Sequence, residues 1–381
     1  MKKTLLVVEK LVIILIFCTS IYLPFCIGIF EKDADVSNAE KRKLSPCPSL
    51  PKSVQSLKEF PGLFEKYYAD HFGLRSRLTA YYKFMKYKLG DSPSEHVTIG
   101  KEGWLFLGSI RQGYTAHYDP IGDYRNVNLY SQEELHKFAE RMTALKSWLN
   151  KKGIEYVFVI APSKHTVYYD KLPSYLVKIG ERSATDQLVE YLRKHTEVSV
   201  VDPRQELIHA KNRHQVYYKT DTHWNHYGAN IAQYAIMLEL ERLFPGQIQA
   251  EVMPLQDGML PLGDLARMMG IPPVNELYPQ PVFKNTCEPA KEPIHAKWRE
   301  PHTLICNTQE LNAVIFGDSF LDRLQPYFSR KFKRSTYIWQ RLNFPALTKY
   351  IELEKPDVII EEWVERKLPC TPKEDVNLYR I

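Results

Sequence analysis

The 381-residue chain has no glycine-rich phosphate loop, no internal repeat and no long basic run, and its six cysteines lack the paired spacing of a zinc site. Nothing therefore points to P-loop nucleotide chemistry, to a solenoid or to a zinc-stapled fold. Nucleic acid finds no support either: 51 basic against 45 acidic residues leave a formal charge of +6, a bias that suits at most an acidic partner such as an anionic polysaccharide. What is plentiful is apolar material. With 44% hydrophobic and 12% aromatic residues the chain can bury a large core, as one big domain or two small ones.

The longest apolar run lies at the start. Leu11 to Phe30 is uncharged and about the 20 residues needed to span a bilayer. Lys2, Lys3 and Lys10 precede it, and Glu31, Asp33 and Asp35 follow it, so the basic flank should stay cytoplasmic and everything after residue 30 should lie outside. No small-x-small cleavage site is evident, and Phe25 before Cys26 spoils a lipoprotein site, which favours an uncleaved signal anchor over residues 1–30. Residues 31–59, charged and bearing Pro46, Pro48 and Pro51, read as a juxtamembrane linker, and 60–375 as the folded domain.

Cysteine usage fits an oxidising compartment. Cys18 and Cys26 fall in the apolar run, leaving Cys47, Cys287, Cys306 and Cys370 outside it, which allow three pairings. The expected one joins Cys287 to Cys306 across a short Pro-rich excursion and Cys47 to Cys370 between the two ends of the folded region.

Periodicity organises the rest. The aromatic stretch 61–88, with Tyr67, Tyr68, Phe72, Tyr81, Tyr82 and Phe84 at helical spacing, reads as core, and Trp104 as a buried strand residue. From Ser131 onward strands and helices alternate: helix 132–151, strand 155–161, helix 183–195, strand 198–202 and helix 228–243. After a long irregular segment, 244–311, come strand 313–316, helix 321–331, strand 336–339, helix 346–353 and strand 358–361. Such alternation predicts a three-layer α/β domain with a mostly parallel sheet, whose site gathers at the carboxyl ends of the strands.

Two motifs carry chemistry. Asp221-Thr222-His223-Trp224 supplies an imidazole with a carboxylate two positions before it, and Gly317-Asp318-Ser319-Phe320 supplies a hydroxyl on a turn that follows an apolar run. A serine hydroxyl becomes a nucleophile when an imidazole takes its proton and a carboxylate fixes the tautomer. Taken singly, Gly-Asp-Ser is ordinary turn chemistry and Asp-x-His a buried histidine satisfied by an acid. Together they nominate Ser319 as nucleophile, His223 as general base and Asp221 as its orienter.

These motifs resemble the alginate O-acetyltransferase group of SGNH-hydrolase-like proteins. The resemblance is carried by Asp70-His71-Phe72-Gly73-Leu74-Arg75, Gly100 to Phe106, Ala161-Pro162-Ser163-Lys164, the Thr220 to Trp224 box, Gly263-Asp264-Leu265 and the Gly317 to Phe320 box, in the family's order from about Phe60 to Arg366. Ordinary SGNH hydrolases place the serine block first; here the acid and the base precede it, as in the alginate-type group. The resemblance implies a polysaccharide O-acetyltransferase working through an acetyl-serine. It also implies an inner-membrane anchor, a periplasmic catalytic domain and a membrane-bound O-acyltransferase partner that relays acetyl from cytoplasmic acetyl-coenzyme A, so that no resident cofactor is expected. The chain ends soon after its last strand, so the carbohydrate-binding module of some relatives is not expected.

Lys164, Arg323, Trp339 and Arg366 are candidate substrate contacts, each with a structural alternative; Arg366 could instead pair with Glu362. The Ser319 backbone N–H is one expected oxyanion donor. Three other readings stay open: an acetyl esterase with the same triad, a non-catalytic glycan-binding or assembly subunit, and a metal site at His223 and His226.

Overall fold

The computed structural model describes residues 2–30, 35–37, 42–109, 119–260, 263–271, 276–284, 287–369 and 376–379. The chain divides into two compact units, Met1–Pro93 with Met269–Pro272, and Ser94–Met268 with Pro273–Ile381. The expected domain start at residue 60 falls inside a helix of the first unit, and the sheet-bearing unit opens at Ser94.

In the first unit the apolar run builds helix α1 (Lys2–Phe30), of which Val8–Gly28 is long and apolar enough to cross a membrane. Within the expected linker, residues 31–34 and 38–41 lie outside the described residues, and by Val54 the chain is helical. Ser53 caps α2 (Val54–His71) by accepting the Ser56 N–H at 3.1 Å, and α3 (Arg75–Lys88) follows. The aromatic core expected over 61–88 does not form. Neither helix buries a residue, and Tyr81 and Tyr82 are 64% and 62% exposed. Rings four positions apart stack on each other along α2 instead, Phe60 on Phe64 at 6.0 Å and Phe64 on Tyr68 at 6.2 Å, so the helical spacing serves an intrahelical ladder.

The second unit is built on one seven-stranded sheet. Numbering only its strands, β1 is Glu155–Ala161, β2 Ser199–Val201, β3 Ala290–Glu292, β4 His302–Ile305, β5 Asn312–Phe316, β6 Arg334–Ile338 and β7 Val358–Val364; the order across the sheet is β2-β1-β7-β5-β6-β4-β3. The first five in that order are parallel, and β4 and β3 add antiparallel at one edge.

Side-chain alternation along the central strands explains the three layers. Val157, Val159 and Ala161 of β1, with Ala313 and Ile315 of β5, pack on one face under α6 (His226–Leu243) and α7 (Leu321–Phe328). Tyr156, Phe158 and Ile160, with Val314 and Phe316, pack on the other face under α4 (Gln132–Asn150), α5 (Ala184–His195) and α8 (Phe344–Glu354). Strands apolar on both faces require helices on both faces, which is the expected α/β architecture with a mostly parallel sheet.

Two segments depart from expectation. The stretch 244–311 is not irregular throughout, since it contributes an antiparallel pair, Leu255–Leu260 with Glu276–Pro281, and the antiparallel strands β3 and β4 of the sheet. A disulfide between Cys287 and Cys306 closes the loop that contains β3 and β4. Cys47 carries a free thiol, and Cys370, its expected partner, lies outside the described residues. Strand β7 runs on to Val364, three residues past its expected end.

Candidate active site

His223 and Asp221, the expected base and its orienter, sit on a tight loop. Tyr217 and Trp224 bridge antiparallel, and Tyr218 N–H donates to the His223 carbonyl at 3.2 Å, leaving Asp221 and Thr222 at the tip. Asp221 Oδ1 accepts the His223 backbone N–H at 3.0 Å and lies 2.6 Å from His223 Nδ1. One carboxylate oxygen thus shapes the turn and fixes the ring, leaving Nε2 as the acceptor. His223 Nε2 is 2.6 Å from Ser319 Oγ.

This loop is fixed from two directions. Lys164, buried, donates its ammonium to three carbonyls, those of Leu105 at 2.5 Å, Lys219 at 3.0 Å and Asp221 at 2.8 Å. From the other direction comes Asp264: its N–H donates to Asp221 Oδ2 at 2.8 Å, and its carboxylate accepts Thr222 N–H at 2.8 Å and Thr222 Oγ1–H at 2.5 Å. Gly263 permits the approach, since a Cβ there would stand 1.9 Å from the Thr220 carbonyl oxygen. Burial alone would raise the Asp221 carboxyl; its hydrogen bond to His223, the imidazole's charge and the two backbone N–H groups hold it well below the usual carboxylate range. Asp221, His223 and Asp264 lie close enough to share a metal ion, but both oxygens of each carboxylate already accept hydrogen bonds within the loop.

Ser319, the expected nucleophile, comes off the carboxyl end of β5. Gly317 N–H donates to the Ile338 carbonyl at the end of β6, at 3.1 Å, and Asp318 N–H to Glu362 Oε2 on β7, at 3.0 Å. Asp318 Oδ1 accepts Phe320 N–H at 3.1 Å and Oδ2 the Lys367 ammonium at 3.1 Å, and α7 begins two residues beyond Ser319. Phe320 packs beneath, 5.0 Å from the His223 ring and 4.9 Å from Trp224, whose indole N–H donates to the Phe320 carbonyl at 3.2 Å. Ser319 opens into a cavity of about 230 Å³ whose lining includes Asp318, Trp339, Arg341, Glu362 and Lys367.

Of the four candidate substrate contacts, Trp339 lines this cavity, its indole N–H bonded to Asp322 Oδ1 at 3.0 Å. The others do not line it. Lys164 is committed to the loop carbonyls, Arg323 Nε donates to the Tyr218 hydroxyl at 3.1 Å, and the Arg366 guanidinium is buried 5.4 Å from the Phe320 ring centre. His226 is held to about 4 by burial and by Arg323, a neutral imidazole at pH 7. Sequence reasoning missed Asp264 and Glu362 as site residues. The Gly263-Asp264-Leu265 motif was a visible signal for the first; the second had none beyond a pair of acids in an apolar strand.

A family model described as SGNH hydrolase-like domain, acetyltransferase AlgX, matches residues 97–338. The chain is 25% identical over 334 residues to the probable alginate O-acetylase AlgJ of Pseudomonas putida, covering 83% of this chain and 80% of that protein. To the probable alginate O-acetylase AlgJ of Pseudomonas aeruginosa it is 23% identical over 269 residues, covering 68% and 61%. Among solved structures, the O-acetyltransferase domain of Pseudomonas putida AlgJ superposes with a TM-score of 0.44 at 19% identity, over 74% of this chain and 94% of that one. Bacillus cereus PatB1 does so with a TM-score of 0.49 at 15% identity, over 71% and 96%.

Proposed function

This chain belongs to the SGNH hydrolase-like acetyltransferase AlgX family, and from that premise we propose that it O-acetylates an exported polysaccharide through an acetyl-Ser319 intermediate. The observation that carries the reading is the relay from Asp221 to His223 to Ser319, at 2.6 Å in each step, opening on a cavity beside the nucleophile.

In the first half-reaction His223 Nε2 takes the Ser319 proton as Oγ attacks the acetyl carbonyl. The tetrahedral intermediate collapses, the donor's leaving group departs with the proton from His223, and acetyl stays on Oγ as an ester. In the second half, a sugar hydroxyl gives its proton to His223 and attacks that ester; Ser319 leaves and recovers the proton. Asp221, kept ionised, stabilises the imidazolium at both stages. The Ser319 backbone N–H serves as one oxyanion donor. Arg299, Arg341 and Lys367 on the cavity wall suit an acidic glycan, in keeping with the relatives named for alginate. Helix α1 serves as an inner-membrane anchor with the catalytic unit in the periplasm. A membrane-bound O-acyltransferase then delivers acetyl drawn from acetyl-coenzyme A, so the enzyme carries no cofactor of its own.

An esterase would form the same acetyl-serine, so the test is a partition. The full chain in detergent is offered an activated acetyl ester with and without an oligouronate. A transferase diverts acetyl from acetate to the glycan, and Ser319→Ala does neither. Acetate release unchanged by glycan makes the protein an esterase, and glycan modification that survives Ser319→Ala makes it an accessory subunit.

A further inference from the structure

Buried carboxyls are ordinarily hydrogen-bonded through both oxygens, and Glu362 beside the nucleophile is not. It is 1% exposed; Oε2 accepts the Asp318 N–H at 3.0 Å, while Oε1 is buried without a hydrogen-bond partner among the described residues. Room for the carboxyl is made by Gly317, where a Cβ would stand 2.7 Å from Glu362 Oε2 and 2.8 Å from the Leu321 side chain. The glycine of Gly317-Asp318-Ser319 is thus required by the glutamate wedged against the turn.

An ionised carboxylate in this position would want about four donors and has one. The charged and titratable groups around it are the Asp318 carboxylate, Lys367, Arg366, Tyr217 and the cavity-wall Arg341. Lys367 is paired with Asp318 at 3.1 Å, and no ion pair reaches Glu362 among the described residues. Burial first, and the Asp318 charge second, push the Glu362 carboxyl well above its ordinary value. Burial pushes Asp318 up too, but Lys367, Arg366 and the Phe320 N–H outweigh it and hold Asp318 low. Of the two carboxyls, burial therefore favours the proton on Glu362, and the pairing with Lys367 favours the charge on Asp318.

We propose that Glu362 is a positioning residue for the nucleophile, acting in its uncharged acid form to hold the Gly317-Asp318-Ser319 turn so that Ser319 Oγ stays 2.6 Å from His223 Nε2. When Glu362 loses its proton, a second negative charge is buried against the turn besides that of Asp318, and Ser319 leaves the line of the imidazole. The enzyme therefore carries an alkaline limit set by a group outside the line from Asp221 through His223 to Ser319. The inference rests on Ser319 being the nucleophile and needs neither acetyl nor glycan.

The test is the rate of covalent labelling of Ser319 by phenylmethanesulfonyl fluoride across pH, on the full chain in detergent. Wild type should label quickly near neutrality and fall off in alkali. Glu362→Gln keeps an oxygen for the Asp318 N–H and cannot ionise, so it should label at the wild-type rate near neutrality without the alkaline fall; Lys367 is intact in both and cannot account for the difference. Glu362→Ala should label at least roughly tenfold more slowly throughout. An alkaline fall that persists in Glu362→Gln, or a wild-type rate that never falls, overturns the inference. Should Glu362→Ala not fold, the comparison of wild type with Glu362→Gln decides alone. A chain that labels as expected but transfers no acetyl would sink the acetyltransferase reading and leave the role of Glu362 standing.

Discussion

Ser319 is held from two sides that handle charge in opposite ways. On the histidine side, both oxygens of Asp221 and of Asp264 accept hydrogen bonds, and the Lys164 ammonium is taken by three carbonyls. On the sheet side, Asp318 is paired with Lys367 while Glu362 keeps one oxygen buried without a partner among the described residues. Where the proposed chemistry needs a fixed tautomer and a lasting negative charge, both oxygens of each carboxylate are satisfied. Where only backbone position is needed, the inference has an uncharged acid suffice, and a sensitivity to alkali follows from it.

If the histidine side works as described, Asp221→Asn should have the largest effect. It keeps the shape but loses the charge and misdirects the imidazole tautomer, lowering kcat by roughly 10⁴-fold with the fold intact; steady-state kinetics beside an unchanged circular dichroism spectrum checks this. Next comes Lys164→Met, which fills the space but strands three carbonyls. We expect a loss of about 3 kcal/mol in denaturant unfolding, together with reduced turnover as the Asp221 loop loosens. Gly263→Ala forces the backbone away from Thr220 and shifts the Asp264 clamp, lowering kcat by roughly 10²-fold with a smaller loss of stability than Lys164→Met. A result in which Gly263→Ala is silent would show that the clamp is dispensable.

The last prediction concerns acid rather than alkali, and stability rather than turnover. His165 is fully buried, its Nε2 2.9 Å from the Leu107 carbonyl, and burial holds it at about 3 against an ordinary 6.5. The unfolded chain takes up a proton on this ring below about 6.5 and the folded chain does not, so stability is lost as pH falls from 6.5 toward 3, at about 1.4 kcal/mol per pH unit. His165→Gln, which keeps an N–H donor but cannot charge, should flatten the fall of the thermal midpoint over that window. An unchanged slope would refute the assignment.

The hydrogen-bonded line from Asp221 through His223 to Ser319 was legible because its residues stand in two short motifs, and the sheet because β1 and β5 are apolar on both faces. What escaped reading escaped for physical reasons. The pair Glu361-Glu362 looked like a strand end, yet β7 continues through it because each acid finds a buried partner on its own side of the sheet. Glu361 accepts from the Tyr156 hydroxyl at 2.6 Å and the Trp363 indole at 2.8 Å, and Glu362 from Asp318 N–H. Strand β3, at the sheet edge, and its neighbour β4 are short strands in proline-bearing sequence, where alternation is too brief to register. The aromatic spacing of 61–88 was read as burial because intrahelical stacking and a core stripe share one period.

The central claim is that acetyl rests on Ser319 on its way to the acceptor. Intact-protein mass spectrometry of the full chain, taken shortly after mixing with an activated acetyl ester and followed by peptide mapping, tests it most directly. The account predicts one acetyl group, on the peptide holding Gly317-Asp318-Ser319, absent in Ser319→Ala and discharged on addition of glycan. Acetyl that reaches the glycan with Ser319 never modified would contradict it.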